Sequence, residues 1–262
     1  MHLTRRQRAR LARTVAIVVP LAVAAVVAAS ADWGRIQQAF FQPDIAADLF
    51  PEIVTTGVKN TLMITGIAFV GGLLIGLTLA LMRLSTFPVY RFVAAAYIEV
   101  FRGIPALVTL ILVGFTVPIA LGVRVPGRYG AAGLGLAIVA GAYMAETIRA
   151  GIQAVPKGQT EAARSLGMSS TRAMVSIVIP QAFRIIIPPL TNELVLLLKD
   201  SSLVYVLGTT AETIELSKYG RDAVSKTFNG TPITVVAMLY LAITFPLTRL
   251  AAWLERRGGA AR

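Results

Sequence analysis

Three ionisable residues stand where charge is costly. Glu193, Lys199 and Asp200 lie inside an otherwise apolar run from about Leu190 to Gly208. A carboxylate near the middle of a bilayer costs about 2.5–3.5 kcal/mol on insertion scales, so such groups face a cavity or a partner. Glu193 and Asp200 are seven residues apart and share one helix face, with Asn192 and Ser201 beside them as neutral hydrogen-bonding groups. Two carboxylates on one wall suit an ammonium group. Lys199 can instead neutralise one of them as part of helix packing, which leaves the charge of a ligand open. Just upstream, Pro188-Pro189 is expected to break the helix. A helix starting after the prolines would leave backbone N–H groups free to receive a carboxylate.

A second polar constellation lies between two apolar spans, at Thr160 to Ser170. Pro156 suits a helix start, Glu161 falls in an early turn and good helix formers follow to Leu166. Gly167 then stops the helix by taking the left-handed conformation, and Ser169 and Ser170 offer caps for a second short helix running toward Pro180. Ala162 and Ala163 let a partner backbone approach, while Glu161 and Arg164 place charge at the rim. The unit reads as a docking knob, although composition alone also fits an ordinary loop.

Several chemistries are excluded by residue type. Cysteine is absent and the single histidine, His2, lies in a basic tail, so neither a thiolate site nor a histidine-based catalytic set is available. No glycine-rich loop ending in Gly-Lys-Ser/Thr occurs, so the chain carries no phosphate loop for ATP. No catalytic or metal-ligating residue is assigned. An intramembrane enzyme would have to rely on the pair Glu193 and Asp200 alone.

These residues must be positioned by membrane helices. With 56% apolar and only 15% charged residues in 262, the chain falls well below the charged content of about 25% in soluble domains. The net charge of +12 comes from Arg and Lys at the ends of apolar spans, the pattern of membrane topology and not of a nucleic-acid surface. The expected architecture is an all-α polytopic bundle of about six transmembrane helices with both termini cytoplasmic. Residues 1–31 form a basic tail and a first helix (Thr14 to Ala31), read as an uncleaved anchor, with a cleavable signal peptide as the alternative. Residues 32–56 carry Asp32, Asp44, Asp48 and Glu52 against Arg35, as an outer loop or surface helix would. The membrane domain occupies 57–257, its knob at about 155–180 cytoplasmic, and 258–262 form a tail. Spans are expected at Thr61–Met82, from the bend at Gly103-Ile104-Pro105 to Val123, at Tyr129–Ala154, in the run holding Glu193, and at Pro232–Thr248. Gly72 and Gly76, and the stripe Gly133, Ala137 and Gly141, are spaced for close helix packing. Glu99 with Arg102 and Glu146 with Arg149 are expected to form ion pairs. The basic turn at Arg124 to Arg128 departs from the positive-inside pattern.

Glu161-Ala162-Ala163, then Gly167, then nine residues to Ile177-Val178-Ile179-Pro180, resembles the EAA loop of ABC-importer permeases. The flanking segments Glu99 to Pro105, Ala150 to Gln159, Pro188 to Glu193 and Leu198 to Leu203 narrow the likeness to the polar amino acid permeases for histidine, glutamine, glutamate and arginine. The resemblance runs from about Thr56 to Arg257, and the first fifty residues match less clearly. It implies the type I importer permease fold and a half-pathway for an amino acid. Glu161, Ala162, Ala163, Arg164 and Gly167 would couple to an ATPase, and Asn192, Glu193 and Asp200, with Ser201 beside them, would line the pocket. It further implies an ABC ATPase dimer that holds the ATP and Mg, a second permease subunit, identical or homologous, and an extracytoplasmic solute-binding protein. No cofactor is expected in this chain and no nucleic acid. The EAA loop is shared by permeases for opines, peptides and oxyanions, so a different cargo is the nearest alternative. An ion-coupled secondary transporter would have no use for the loop.

Overall fold

The computed structural model describes residues 5–123, 125, 127–208 and 210–259. The start of the basic tail (1–4), Arg124 and Pro126 of the outer turn, Thr209 and the last residues, 260–262, lie outside the described residues. Thirteen α-helices follow one another among them. The first is α1 (Arg5–Ser30); α2 (Trp33–Phe40) and α3 (Pro43–Asp48) are short, and a widened turn at Ile53–Val58 leads into α4 (Lys59–Leu84). α5 (Pro88–Gly103) is followed by α6 (Ala106–Ile111) and α7 (Val117–Leu121), then by α8 (Gly130–Gln153) and α9 (Lys157–Ser165). α10 (Ser170–Ala173) runs through another widened turn into α11 (Ile179–Asp200) and a tight turn at Ser201–Leu207; α12 (Leu216–Thr227) and α13 (Thr231–Gly259) complete the chain. Five of the helical segments are long and apolar enough to cross a membrane, and the α5 to α7 pair, bent by 108°, makes a sixth.

The centre of the bundle is α4 against α8, and small residues bring them together. A Cβ added at Gly72 would lie 2.9 Å from the Cβ of Ala140, and one at Gly76 would lie 2.8 Å from the Cβ of Met144. Lipid is as apolar as leucine, so close van der Waals contact holds membrane helices together where hydrophobic expulsion does not. Ile64, Ala68, Leu136, Ala140 and Met144 are buried along this seam, and Leu197 and Val204 of the α11 segment close over it. α1 stands apart: its span has no buried residue, and side chains such as Leu21 and Val26 are more than 60% exposed.

At the opposite end of the bundle from α9, the chain after Gly208 is strapped down by polar contacts. The Asn60 side-chain amide donates to the carbonyls of Glu212 and Ile214 at 3.0 and 2.8 Å, and Tyr129 donates to the Asn60 carbonyl oxygen at 2.6 Å. The Leu216 N–H reaches Thr61 Oγ1 at 3.0 Å. Glu215 caps α12 by accepting from the N–H groups of Ser217 and Lys218, both at 2.6 Å. Its carboxyl is buried, and that burial pushes its pKa up from 4.5 to about 7 against the pull of those two N–H donors.

The 32–56 segment forms the short helices α2 and α3, and these lie on the start of α13. Gly230 N–H donates to the Ala39 carbonyl at 2.7 Å and Gln42 N–H to Thr231 Oγ1 at 3.0 Å.

Candidate functional site

Two sites are joined by one continuous helical segment, Ser170–Leu207, of 38 residues. At about 1.5 Å per residue it is some 57 Å long.

Toward its far end the segment forms one wall of a cavity of about 410 Å³, lined by Glu193, Leu196, Leu197 and Asp200 of α11. α8 contributes Leu136, Val139, Ala140 and Tyr143, and the break between α5 and α6 contributes Arg102 to Ala106. The break has a local cause. A residue before proline is driven out of the helical region, and Ile104 is extended at φ −92°, ψ 133° ahead of Pro105. The chain turns there, which brings Arg102 to the cavity with its guanidinium carbon 5.4 Å from the centre of the Tyr143 ring. Glu193 and Asp200 are half-buried on the facing wall. The cavity therefore offers two carboxylates, one guanidinium and an aromatic face.

The structure redistributes the other expected residues. Asn192 turns away from the cavity and donates to Glu255 Oε1 of α13 at 3.0 Å. Ser201 is fully buried and donates to the Leu198 carbonyl at 2.7 Å. A helix advances 100° per residue, so neighbours of a cavity-facing residue point elsewhere. Lys199 is exposed, and among the described residues no ion pair joins it to Glu193 or Asp200. Glu99 is likewise exposed and unpaired with Arg102, which faces Tyr143 instead. The pair Glu146 and Arg149 is present, at 2.6 Å.

The helix does not restart after Pro188-Pro189; both prolines lie inside α11. Buried Ala182 and Ile186 pack with Ala80, Ile148, Val155 and Val178 just before the prolines, and Val195 and Leu197 are buried just after them. Packing on both sides carries the helix across two missing N–H donors, as membrane helices tolerate. The free N–H groups expected at Leu190 are therefore absent, and Arg102 is the cavity group suited to a carboxylate. The sequence marked Arg102 as the ion-pair partner of Glu99 beside the Gly103-Ile104-Pro105 break and not as a cavity group, and nothing marked Tyr143.

The knob forms at the other end of the segment. α9 ends in a paired closure: Met168 N–H donates to the Ala163 carbonyl at 3.1 Å and Gly167 N–H to the Arg164 carbonyl at 2.9 Å, with Gly167 at φ +87°. That is the arrangement in which a residue lacking Cβ at the left-handed position satisfies the last carbonyls of a helix. Ser169 Oγ accepts from Arg172 N–H at 3.3 Å and caps α10. α10 is not a separate short helix, however, but the first turn of the long segment. Glu161, Ala162 and Arg164 are exposed, and Leu166 is 87% exposed at the tip. Ala163 points inward and is buried, so it packs the knob and leaves Ala162 as the small residue on the outer face.

A charged cavity among membrane-crossing helices, joined by one helix to an exposed knob, defines a subunit of a polytopic membrane transporter. Residues 72–258 match the family described as "Binding-protein-dependent transport system inner membrane component". The chain is 40% identical over 203 residues to the "Probable glutamine ABC transporter permease protein GlnM" of Bacillus subtilis, covering 77% of this chain and 91% of that one. It is 34% identical over 205 residues to the "Arginine transport system permease protein ArtQ" of the same organism, covering 78% and 91%. The solved "Crystal structure of an amino acid ABC transporter with histidines" superposes with a TM-score of 0.72 at 39% identity over 80% of this chain and 96% of that chain. The chain belongs to the family of inner membrane components of binding-protein-dependent transport systems, and it is an ABC-importer permease that crosses the membrane several times.

Proposed function

We propose that this permease forms half of an import pathway for a polar amino acid and takes its driving force through the knob. The observation that carries the cargo class is the cavity, where Glu193 and Asp200 face Arg102. Two carboxylates suit an ammonium group and a guanidinium suits a carboxylate, so the site matches a zwitterion at both ends. The relatives named for glutamine and arginine support the same class. Glu161, Ala162, Arg164 and Gly167 seat the knob in a groove of a separate ABC ATPase, with Ala163 holding its shape from within. ATP and Mg are bound by that ATPase, and this chain hydrolyses nothing. A second permease subunit supplies the other half of the pathway, and an extracytoplasmic binding protein delivers the amino acid. The termini and the knob face the cytoplasm, and α12 faces outward.

The test is uptake of radiolabelled histidine, arginine, glutamine and glutamate by cells expressing Glu193→Gln or Asp200→Asn. A hydrogen bond to a charged group is worth about 1.5–3 kcal/mol, so apparent affinity should fall by about tenfold or more, with altered selectivity among the four. Wild-type affinity and selectivity in both variants would remove the cavity as the substrate site.

A further inference from the structure

Beneath the outer strap lies a small hollow of about 140 Å³, and only a thin layer parts it from the charged cavity. On α8 the cavity is lined at Leu136 and the hollow at Ala132; on the next wall the cavity is lined at Asp200 and the hollow at Val204. Four residues are about one helical turn, so the two spaces are separated by about 6 Å along both walls. Leu110, Leu136, Leu197 and Val204 fill the gap as one packed cluster, none of them more than 3% exposed. Leu110 of α6 lies close on α8 because residue 135 is glycine: a Cβ there would come within 2.8 Å of Leu110 Cδ2. The layer is flanked by departures from regular helix. α6 runs into a widened turn at Leu112–Thr116, and α11 into the tight turn at Ser201–Leu207. Such stretches often mark hinges.

One group in this layer is unsatisfied. Thr109, beside Leu110, is 1% exposed, and its hydroxyl has no hydrogen-bond partner among the described residues. Thr65, Thr78 and Thr191 each donate to the carbonyl four residues back. For Thr109 that carbonyl belongs to Pro105, and it already accepts from the N–H groups of Val108 and Thr109 at 2.9 and 3.2 Å. Thr109 stands one turn beyond Ala106, a lining residue of the cavity, on the same face of α6. A buried polar group left unpaired costs more than an ordinary hydrogen bond contributes, and folded proteins keep few of them.

We infer that Leu110, Leu136 and Val204 form the outer gate of the cargo path, and that Thr109 keeps this gate from locking shut. The closed layer holds the Thr109 hydroxyl unpaired. Parting of α6 from the turn at 201–207 wets it, so the closed state is held less firmly than a wholly apolar layer would be. Once open, the hydroxyl lies on the route to the cavity and can bond a passing polar cargo. The inference rests on the import reading, which makes the cavity the resting place of cargo that enters from the strap side.

The experiment uses the full transporter in intact cells. Val139→Cys places a thiol in the cavity of a chain that has no other cysteine, and its rate of modification by a small membrane-impermeant methanethiosulfonate added outside reports gate opening. On that background Thr109→Val should slow labelling about tenfold, while Thr109→Ser, which keeps the hydroxyl, should stay within about twofold of the parent. Leu110→Ala should speed labelling; if it fails to assemble, Gly135→Ala, which presses on the tip of Leu110, carries that arm. Parent-like labelling in Thr109→Val overturns the role of Thr109, and a raised melting temperature with no change in labelling would make its hydroxyl a packing flaw only. Labelling unchanged by both Leu110→Ala and Gly135→Ala overturns the gate, as does a cavity thiol that never reacts from outside. Cells in which labelling follows the gate variants as expected, but which take up none of histidine, arginine, glutamine and glutamate, overturn the import reading and leave the gate standing.

Discussion

The knob and the cavity are joined by one helical segment that starts at the knob and ends in the cavity wall, yet they are held in different ways. At the knob the hydrogen bonds that shape the turn are local: Met168 to Ala163, Gly167 to Arg164 and Arg172 to Ser169 all close within five residues, while Glu161 and Leu166 remain open to solvent and only the ends, Val155 and Val178, pack against the bundle. At the cavity the walls come from α5, α6, α8 and α11, and the outer strap beside it is fixed by bonds spanning more than 150 residues, such as Asn60 to Ile214 and Leu216 to Thr61. A locally built knob keeps its shape whatever the bundle does, so it can act as a rigid seat for a moving partner. A cavity assembled from distant helices changes shape whenever those helices shift. Joining the two by an unbroken helix lets motion at the seat become a change of cavity shape, the alternating-access logic of transporters.

The largest effect is expected from removing the scaffold that both ends share. Gly76→Leu would force a side chain against the backbone of α8, where Ala145 N already lies 3.0 Å from an added Cβ. Overpacking of this kind costs about 1–3 kcal/mol, and the yield of monodisperse complex on size-exclusion chromatography should fall further than for any substitution at the strap or the cavity. Normal yield would show that α4 and α8 are not the common support.

A smaller, pH-dependent effect is expected at the outer strap. Burial raises the Glu215 pKa to about 7 from 4.5, so the neutral form is the one the fold favours. The stability it contributes is full below about pH 4.5 and is lost as pH rises through about 7. The melting temperature of the purified complex should therefore decline by a few degrees between pH 5 and pH 8, and Glu215→Gln should flatten that decline. An equal slope in wild type and variant would detach the strap from the titration of Glu215.

The smallest effect sharpens the boundary of the cavity. Asn192 bonds to Glu255 and not into the cavity. That bond ties α11 to α13 and reaches no ligand, so Asn192→Ala should leave apparent uptake affinity within about threefold of wild type while Glu193→Gln lowers it further. Equal losses in the two variants would return Asn192 to the substrate wall.

The same contrast explains what could be read from the residues alone. The caps and the left-handed turn of the knob were legible, because proline, glycine and serine at fixed offsets dictate them without reference to the rest of the chain, whereas the inward turn of Ala163 and the run of α10 into the long segment were not. The spans and the glycine contacts of α4 with α8 were legible from apolar length and small-residue spacing. Glu193 and Asp200 drew attention because charge is rare in such a run, but Asn192 and Ser201 were grouped with them by adjacency, and only the helix phase separates them. The restart expected after Pro188-Pro189 failed because tertiary packing on both sides overrode the local preference. Arg102 and Tyr143 come from different helices and meet only through the 108° bend, which a linear pattern does not encode.

The central claim is that the knob drives the cavity, and substrate-stimulated ATP hydrolysis by the reconstituted transporter tests it most directly. Gly167→Asp adds a Cβ at φ +87°, costing about 1 kcal/mol in local geometry, and places a carboxylate at the seat beside Leu166. Glu161→Lys reverses an exposed charge of α9. Both variants should insert and assemble, and both should lose most of the stimulation, by about tenfold for Gly167→Asp. Full stimulation in both would contradict the account.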